Sequence, residues 1–264
     1  MNNAAAREFE YNKVVPFKVI TSDTSEKKKV NKDGSECKIH SNKIAGESSE
    51  VYAFKTEEEI KAMIDILNNH IKEAATDNQR QIAFRNKLLF VIGINVGIRA
   101  SDLRELKWSF FFEEDEEGNR AFKDSYKIMP KKTAGKRKYV TLYFNNTVRT
   151  IIQQYISEYP VEDLDSYLFP SRKGNEPVLA RSLWRIISDT AIEAGIEQNI
   201  GSHSLRKTFG FWRWHEAEDK DKALVILSKL FNHSSVSMTR KYIGILDEEI
   251  EDMFNSVELG FGCI

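Results

Sequence analysis

Arginine, histidine and tyrosine recur in this chain in a pattern suited to phosphoryl chemistry. Arg99 lies two residues after Gly97, Arg206 lies three after His203, and Tyr242 lies nine after His233. A guanidinium presents a planar fork that matches phosphate oxygens, so Arg99 and Arg206, on different helices, can clamp one phosphate from two sides. The spacing of His203 and Arg206 puts both on one helical face, where the imidazole can approach the same phosphate. Breaking a phosphodiester without water needs a nucleophile on phosphorus, donors for the non-bridging oxygens, and an acid for the leaving 5'-oxygen. Each need has a candidate here. A tyrosine nucleophile would hold the energy of the broken bond in a phosphotyrosyl link, so the strand could be resealed to a new 5'-hydroxyl without ATP or metal. The sequence carries no P-loop and no acidic pair or histidine cluster with catalytic-metal spacing. No cofactor is expected.

Taken singly, each residue has a plainer explanation. Arg99 at a helix boundary is more often a surface ion-pair residue. His203 and His233, near helix starts, are ordinarily capping or packed residues, and Tyr242 between Lys241 and Ile243 is ordinarily half-buried packing. His40, His70 and His215 have no comparable neighbours and read as structural, and Phe209, Phe211, Trp212 and Trp214 read as core and helix packing.

The elements that must position these residues can be traced along the chain. Thr56 and Glu59 form a capping box, after which Ile60, Met63, Ile64 and Leu67 recur at helical spacing. A second helix runs through Phe84, Leu88, Leu89, Val91 and Ile92, and Gly97 is placed to end it in a left-handed conformation. Ser101 is expected to cap a short third helix through Leu103 and Leu106 toward Trp108. Tyr126, Ile128 and Tyr139–Leu142 have strand character around the turn-like Thr133-Ala134-Gly135-Lys136, which predicts a basic β-hairpin. Helices are expected at Thr147–Tyr159 and Ala180–Ala194, then one capped by Ser202, one over Ala223–Phe231, and a short last one from near Ser235 carrying Tyr242. The fold class expected is mainly α with a small antiparallel β-sheet.

At 264 residues, 41% hydrophobic and 30% charged, the chain has the material for one large domain or for one domain plus a small appendage. Its two cysteines, Cys37 and Cys263, make no disulfide framework and no metal site, which suggests a reducing interior. The first ten residues lack a signal peptide's apolar core, and the longest apolar stretch, Leu88–Ile98, is too short to cross a bilayer. A cytoplasmic protein without membrane contact is expected. The net charge of -1 argues mildly against nucleic acid. That total conceals segregation: Met129–Thr141 carries Lys131, Lys132, Lys136, Arg137 and Lys138 with no acid, whereas Glu113–Glu117 and Asp247–Asp252 are acidic. The lysine-rich hairpin is equally well explained as a solvated edge or as a DNA contact.

Four segments carry a resemblance: GIRASDLREL from Gly97, KKTAGKRKYVTL from Lys131, HSLRKTFG from His203 and LFNHSSVSMTRKYIG from Leu230. In order and spacing they resemble the boxes of tyrosine recombinases and phage-type integrases, over roughly Phe54 to Phe254. The resemblance implies the catalytic-domain fold of that family and catalytic roles for Arg99, Lys132, His203, Arg206, His233 and Tyr242. It makes His203 the proton-handling partner of the tyrosine, His233 a hydrogen-bond donor to the phosphate, and Lys132 the acid for the leaving oxygen. Lys131 and Lys136 are the competing lysines; Lys132 is preferred because Lys132-Thr133 matches the pattern common in integrases. Lys131, Lys136, Arg137, Lys138 and Lys207 are candidate DNA contacts.

The resemblance further implies site-specific cutting and rejoining of duplex DNA, self-assembly on DNA as a tetrameric synapse, and accessory DNA-bending partners. Integration or excision of a mobile element is the expected use. Two alternatives stay open: a noncatalytic DNA-binding accessory protein on the same fold, and a topoisomerase-like enzyme. Departures from the pattern are Lys207, where a histidine is frequent, and Asn232, where glycine is usual; asparagine tolerates the left-handed conformation better than other non-glycine residues. Asp102 fits the acidic residue usual after the first arginine. Residues 1–52 are expected to be an arm or linker, poorly ordered alone and too short for the family's helical core-binding domain. Residues 53–258 are expected to be the catalytic domain and 259–264 a tail. The apolar Ile245, Ile250, Met253 and Phe254 amid acids suit packing onto a neighbouring protomer.

Overall fold

Thr56 starts the first helix as expected. Its hydroxyl accepts from the Glu59 N–H at 3.1 Å, and the Glu59 carboxylate accepts from the Thr56 N–H at 3.2 Å, which closes the capping box of α1, Glu57–Lys72. The computed structural model describes residues 50–131, 139–172, 176–245, 250 and 253–256, all within the unit Ser49–Ile264. The turn Thr133-Ala134-Gly135-Lys136 therefore lies outside the described residues.

Helix α2, Asp77–Val96, is capped by Thr76 and ends at Gly97, which adopts the left-handed conformation with φ 63°. A Cβ at Gly97 would also lie 2.3 Å from Phe209 Cδ1, so the position demands glycine for space as well as for backbone. The short helix α3 covers Ala100–Leu103. It begins one residue before the expected cap. The Arg99 carbonyl accepts from the Asp102 and Leu103 N–H groups, so Arg99 is the N-cap and Ser101 lies inside the helix. Nor does the helix reach Leu106; the chain instead passes to a separate 3-10 turn at Trp108–Phe110.

Strand β1, Phe112–Glu114, pairs with β2, Arg120–Phe122, in a hairpin that the sequence did not announce. The acidic run at Glu113–Glu117 forms one arm and the turn, where the Asp115 carboxylate accepts from the Glu117 and Asn119 N–H groups. Strand β3, Ser125–Ile128, pairs with β4, Val140–Tyr143, in antiparallel register from Ser125–Tyr143 to Ile128–Val140. The single small sheet expected is thus two separate two-stranded ladders among the described residues.

Helix α4, Asn146–Glu158, is capped by Asn145, and α5 covers Ala180–Glu193. Helix α6, Ser202–His215, has Gly201 rather than Ser202 at its N-cap, because the Ser204 hydroxyl takes the Gly201 N–H at 3.1 Å. Helix α7, Lys220–Phe231, starts earlier than expected because Asp219 caps it through the Lys222 N–H. Helix α8, Val236–Ile243, is capped by Ser235.

The main core gathers around α2, whose Leu88, Leu89, Phe90 and Ile92 are fully buried and which packs on α1, α4 and α6. A helix apolar on so many sides belongs at the centre of its bundle. A smaller cluster of Ala53, Phe211, Leu224, Leu227, Phe231, Ile243 and Ile245 lies under α8. Ile245 is thus buried within its own domain, contrary to its expected outward role, while Ile250, Met253 and Phe254 are exposed. The class is mainly helical with small antiparallel strands, as expected. No helix among the described residues is long and apolar enough to cross a membrane.

Candidate active site

The left-handed turn at Gly97 ends α2 and delivers Arg99 to the head of α3. Arg206, nearly buried on α6, donates from one guanidinium nitrogen to the Gly97 carbonyl at 2.7 Å and from another to the Phe231 carbonyl at 3.3 Å. Arg99 also donates to the Phe231 carbonyl, at 3.4 Å. The two guanidiniums therefore converge on the last carbonyl of α7, the negative end of that helix. Arg206 also lies over the Phe231 ring at 4.2 Å from its centre. Burial, followed by the charge of Arg99, pushes Arg206 down to about 10, and the nearby Tyr242 and Asp102 oppose that fall. It stays cationic at neutral pH.

The turn after α7 brings in the next residue. Asn232 takes φ 54°, the left-handed conformation expected of it, and turns the chain so that His233 faces the arginines. The His233 ring lies 5.0 Å from the Tyr242 ring and 5.4 Å from Phe231, and its Nδ1 is 2.9 Å from the Thr239 hydroxyl. Burial first, then Arg206 and Arg99, holds His233 below the usual histidine range. His203 is lowered by partial burial and then by Arg206, Lys207 and Arg99, although the residue as a whole is exposed. In both imidazoles the surroundings favour the neutral form.

Tyr242 projects from α8 with its ring 5.5 Å from Phe231. Burial raises its phenol, while the nearby Arg206 and Arg99 act in the opposite direction. Close approach of α8 to α6 depends on Gly210, where a Cβ would meet Ile243 at 2.6 Å and the Phe231 ring at 2.9 Å. Arg99, His203, Arg206, His233 and Tyr242 are thus brought to one place.

The basic hairpin borders the same region. A cleft of about 70 Å³ is lined by Arg99, Asp102, Arg206, Pro130, Tyr139 and Lys229, among others. Asp102 accepts from the Lys131 N–H at 3.0 Å, which ties α3 to the hairpin arm, and the Lys131 ammonium pairs with Glu105. Lys132, Lys136, Arg137 and Lys138 lie outside the described residues. Lys207 departs from its expected place on DNA: it is buried, bonded to Glu50 at 2.7 Å, with its ammonium 5.4 Å from the centre of the Tyr242 ring. One position past Arg206 on α6, it points under the tyrosine.

Sequence reasoning missed the Phe231 carbonyl, Thr239, Lys229 and the Glu50–Lys207 pair. Only Lys207 carried a signal, as the departure from histidine after Arg206. Among the described residues no group of three or more His, Cys, Asp or Glu could hold a metal ion. His70 and His215 instead pair with Glu193 and Glu216 on the exterior.

The profile of the phage integrase family matches residues 54–249. The chain belongs to the phage integrase family. It is 34% identical over 166 residues to a probable integrase/recombinase, YoeC of Bacillus subtilis, covering 62% of this chain and 80% of that one. It is 28% identical over 193 residues to the tyrosine recombinase XerH of Campylobacter jejuni, covering 72% of this chain and 47% of XerH. Against that relative the integrase-family chain spans about half the length. Among solved structures, XerA recombinase superposes with TM-score 0.53 at 18% identity, covering 80% of this chain and 65% of that one. The XerH site-specific recombinase bound to palindromic difH substrate in a post-cleavage complex gives TM-score 0.52 at 21% identity, covering 79% and 54%. These likenesses establish the tyrosine recombinase catalytic-domain fold.

Proposed function

We propose that this domain cuts and rejoins duplex DNA as a site-specific tyrosine recombinase, with Tyr242 as the nucleophile. The observation that carries the reading is the convergence of Arg99 and Arg206 on the Phe231 carbonyl, beside the ring of Tyr242. Two guanidinium forks meeting beside a phenol are the arrangement that a scissile phosphate requires.

In this reading Arg99 and Arg206 hold the two non-bridging oxygens while the Tyr242 oxygen attacks phosphorus. The P–O5' bond breaks, and the DNA 3'-phosphate becomes esterified to the tyrosine. The phenol proton passes to His203, whose neutral state suits a base. His233 serves as donor from Nε2, with its Nδ1 accepting from the Thr239 hydroxyl. Lys132 protonates the leaving 5'-oxygen. Attack by a 5'-hydroxyl on the phosphotyrosine then reverses the sequence and reseals the strand.

Residues 131–138, rich in Lys and Arg, would lie along the DNA backbone, where cations raise affinity without reading sequence. Integration or excision of a mobile element, assembly into a tetrameric synapse with DNA-bending partners, and action in the cytoplasm complete the reading. Residues 53–258 form its catalytic domain, 1–52 its arm and 259–264 its tail. A nicked suicide duplex built from the DNA flanking the coding sequence tests the proposal. Wild-type protein is expected to form a denaturant-resistant covalent adduct that Tyr242→Phe abolishes. Tight DNA binding without adduct would instead select the noncatalytic alternative.

A further inference from the structure

Lys207 is a buried cation beside Tyr242 that the chemistry above does not use. It is 6% exposed, and a buried ammonium needs a hydrogen-bonding partner to stay where it is. Its partner comes from the segment that leads into the domain: the Glu50 carboxylate accepts from Lys207 Nζ at 2.7 Å. Lys207 in turn holds Glu50 below the usual carboxylate range.

The leading segment is itself fastened down on both sides of the active-site helices. The Tyr52 N–H donates to the Asn199 carbonyl at 3.0 Å, and the Asn199 amide donates to the Glu50 carbonyl at 2.8 Å. The Phe54 N–H donates to the Thr208 hydroxyl at 2.8 Å, and its carbonyl accepts from the Trp212 indole at 2.9 Å. Lys55 Nζ donates to the Gly244 carbonyl at 2.9 Å, at the C-terminal end of the helix that carries Tyr242. One stretch of six residues, 50–55, thus touches α6 beneath the nucleophile and α8 just beyond it.

We propose that Glu50 and Lys207 form a positioning pair for the nucleophile: Glu50 holds the Lys207 ammonium beneath the Tyr242 ring, and Lys207 orients and polarises that ring for attack. The inference rests on the reading of Tyr242 as nucleophile. A cation over the face of a phenol attracts its ring and favours the charge that develops as the proton leaves. The other groups facing Tyr242 are Arg99 from the head of α3, Arg206 from α6, and His233 from the turn before α8, while His203 on α6 faces Arg206, Lys207 and Arg99. Lys241, its neighbour on α8, acts on Glu50. Of these, Lys207 is the cation whose partner lies in the leading segment.

The test compares Lys207→Met, Lys207→Arg, Glu50→Gln and the Lys207→Met/Glu50→Gln double variant with wild type in the full chain. The readouts are adduct formation on saturating nicked DNA, DNA affinity across salt concentrations, and an NMR titration of the Tyr242 ring without DNA. Lys207→Met is expected to slow adduct formation about tenfold, with affinity and salt slope unchanged, and to raise the pH at which Tyr242 ionises. Lys207→Arg is expected to restore most of both. Glu50→Gln is expected to slow the reaction by a smaller factor and to add nothing to Lys207→Met, as coupled residues do.

Affinity lost with a salt slope lower by about one would make Lys207 a phosphate contact and overturn the proposal. So would an unchanged rate and titration in Lys207→Met, or a lost rate that returns fully when the variant is assayed well below its Tm. Wild type that makes no adduct would sink the recombinase reading. The Tyr242 titration still decides the pair in that case, because it needs no reaction.

Discussion

The two hydrophobic clusters hold their functional residues in different ways. The larger one closes around α2, and its buried Val96, Ile98, Leu103 and Leu205 lie directly beside Gly97, Arg99 and Arg206. The smaller one has seven buried residues among those described, and it supports α8 with Tyr242 at its edge. Polar ties supplement it: Lys55 to the Gly244 carbonyl and His233 to Thr239. The guanidiniums of Arg99 and Arg206 therefore stand beside the cooperative body of the fold, whereas Tyr242 stands on a patch that can open locally at lower cost. A site divided this way keeps its two arginines fixed and leaves Tyr242 adjustable.

The largest effect should come from the residue that joins the two regions. Arg206→Ala removes the donor from the Gly97 and Phe231 carbonyls and half of the clamp. Adduct formation on nicked DNA is expected to fall by about a thousandfold or more, with little recovery in Arg206→Lys. Full rescue by lysine would show that charge alone, rather than the fork spanning two carbonyls, links the regions.

Core truncation separates the clusters directly. Phe231→Ala and Leu89→Ala should each destabilise the domain, by about 3–5 and about 2–5 kcal/mol respectively in denaturant titration. Hydrogen exchange should distinguish them. Phe231→Ala is expected to expose α7 and α8 amides while α2 and α4 stay protected, and Leu89→Ala to lower protection throughout. The same pattern in both variants would remove the distinction between the clusters.

A pH titration sharpens the comparison on the histidines that lie between the clusters. Followed by NMR in the free domain, His203 and His233 should both titrate below 6.5. Because their folded values lie below the unfolded one, stability is retained above about pH 6.5 and declines as pH falls through it. A midpoint above 6.5 for either ring would mean that a neutralising partner outweighs burial and the arginines. The smallest effect belongs to the turn. Asn232→Ala places a β-carbon with no compensating amide at φ 54° and should cost about 1 kcal/mol in thermal unfolding, with Asn232→Gly near neutral.

Most of the site was legible because its residues lie beside strong local signals. Gly97 announced the turn that presents Arg99, Ser235 announced the helix that carries Tyr242, and Asn232 announced the left-handed turn before His233. Caps were less legible where the side chain expected to act was displaced by one residue. Arg99 supplies a carbonyl that any residue could supply, and at α6 the cap is Gly201, whose N–H donates to the Ser204 hydroxyl inside the helix. The β1–β2 hairpin escaped notice because its strands are three residues long and one of them is acidic, so alternation had no room to show. Contacts across the chain left little trace, Lys207 being marked only as a departure from histidine and its partner not at all. The Glu50–Lys207 bond spans 157 positions, and the Phe231 carbonyl is a backbone atom that every residue possesses.

The hydrogen bond from Lys55 to the Gly244 carbonyl has a consequence for engineering. It fastens the residue ahead of α1 to the turn that closes α8, so a truncation that removed Lys55 would free the end of the helix carrying Tyr242.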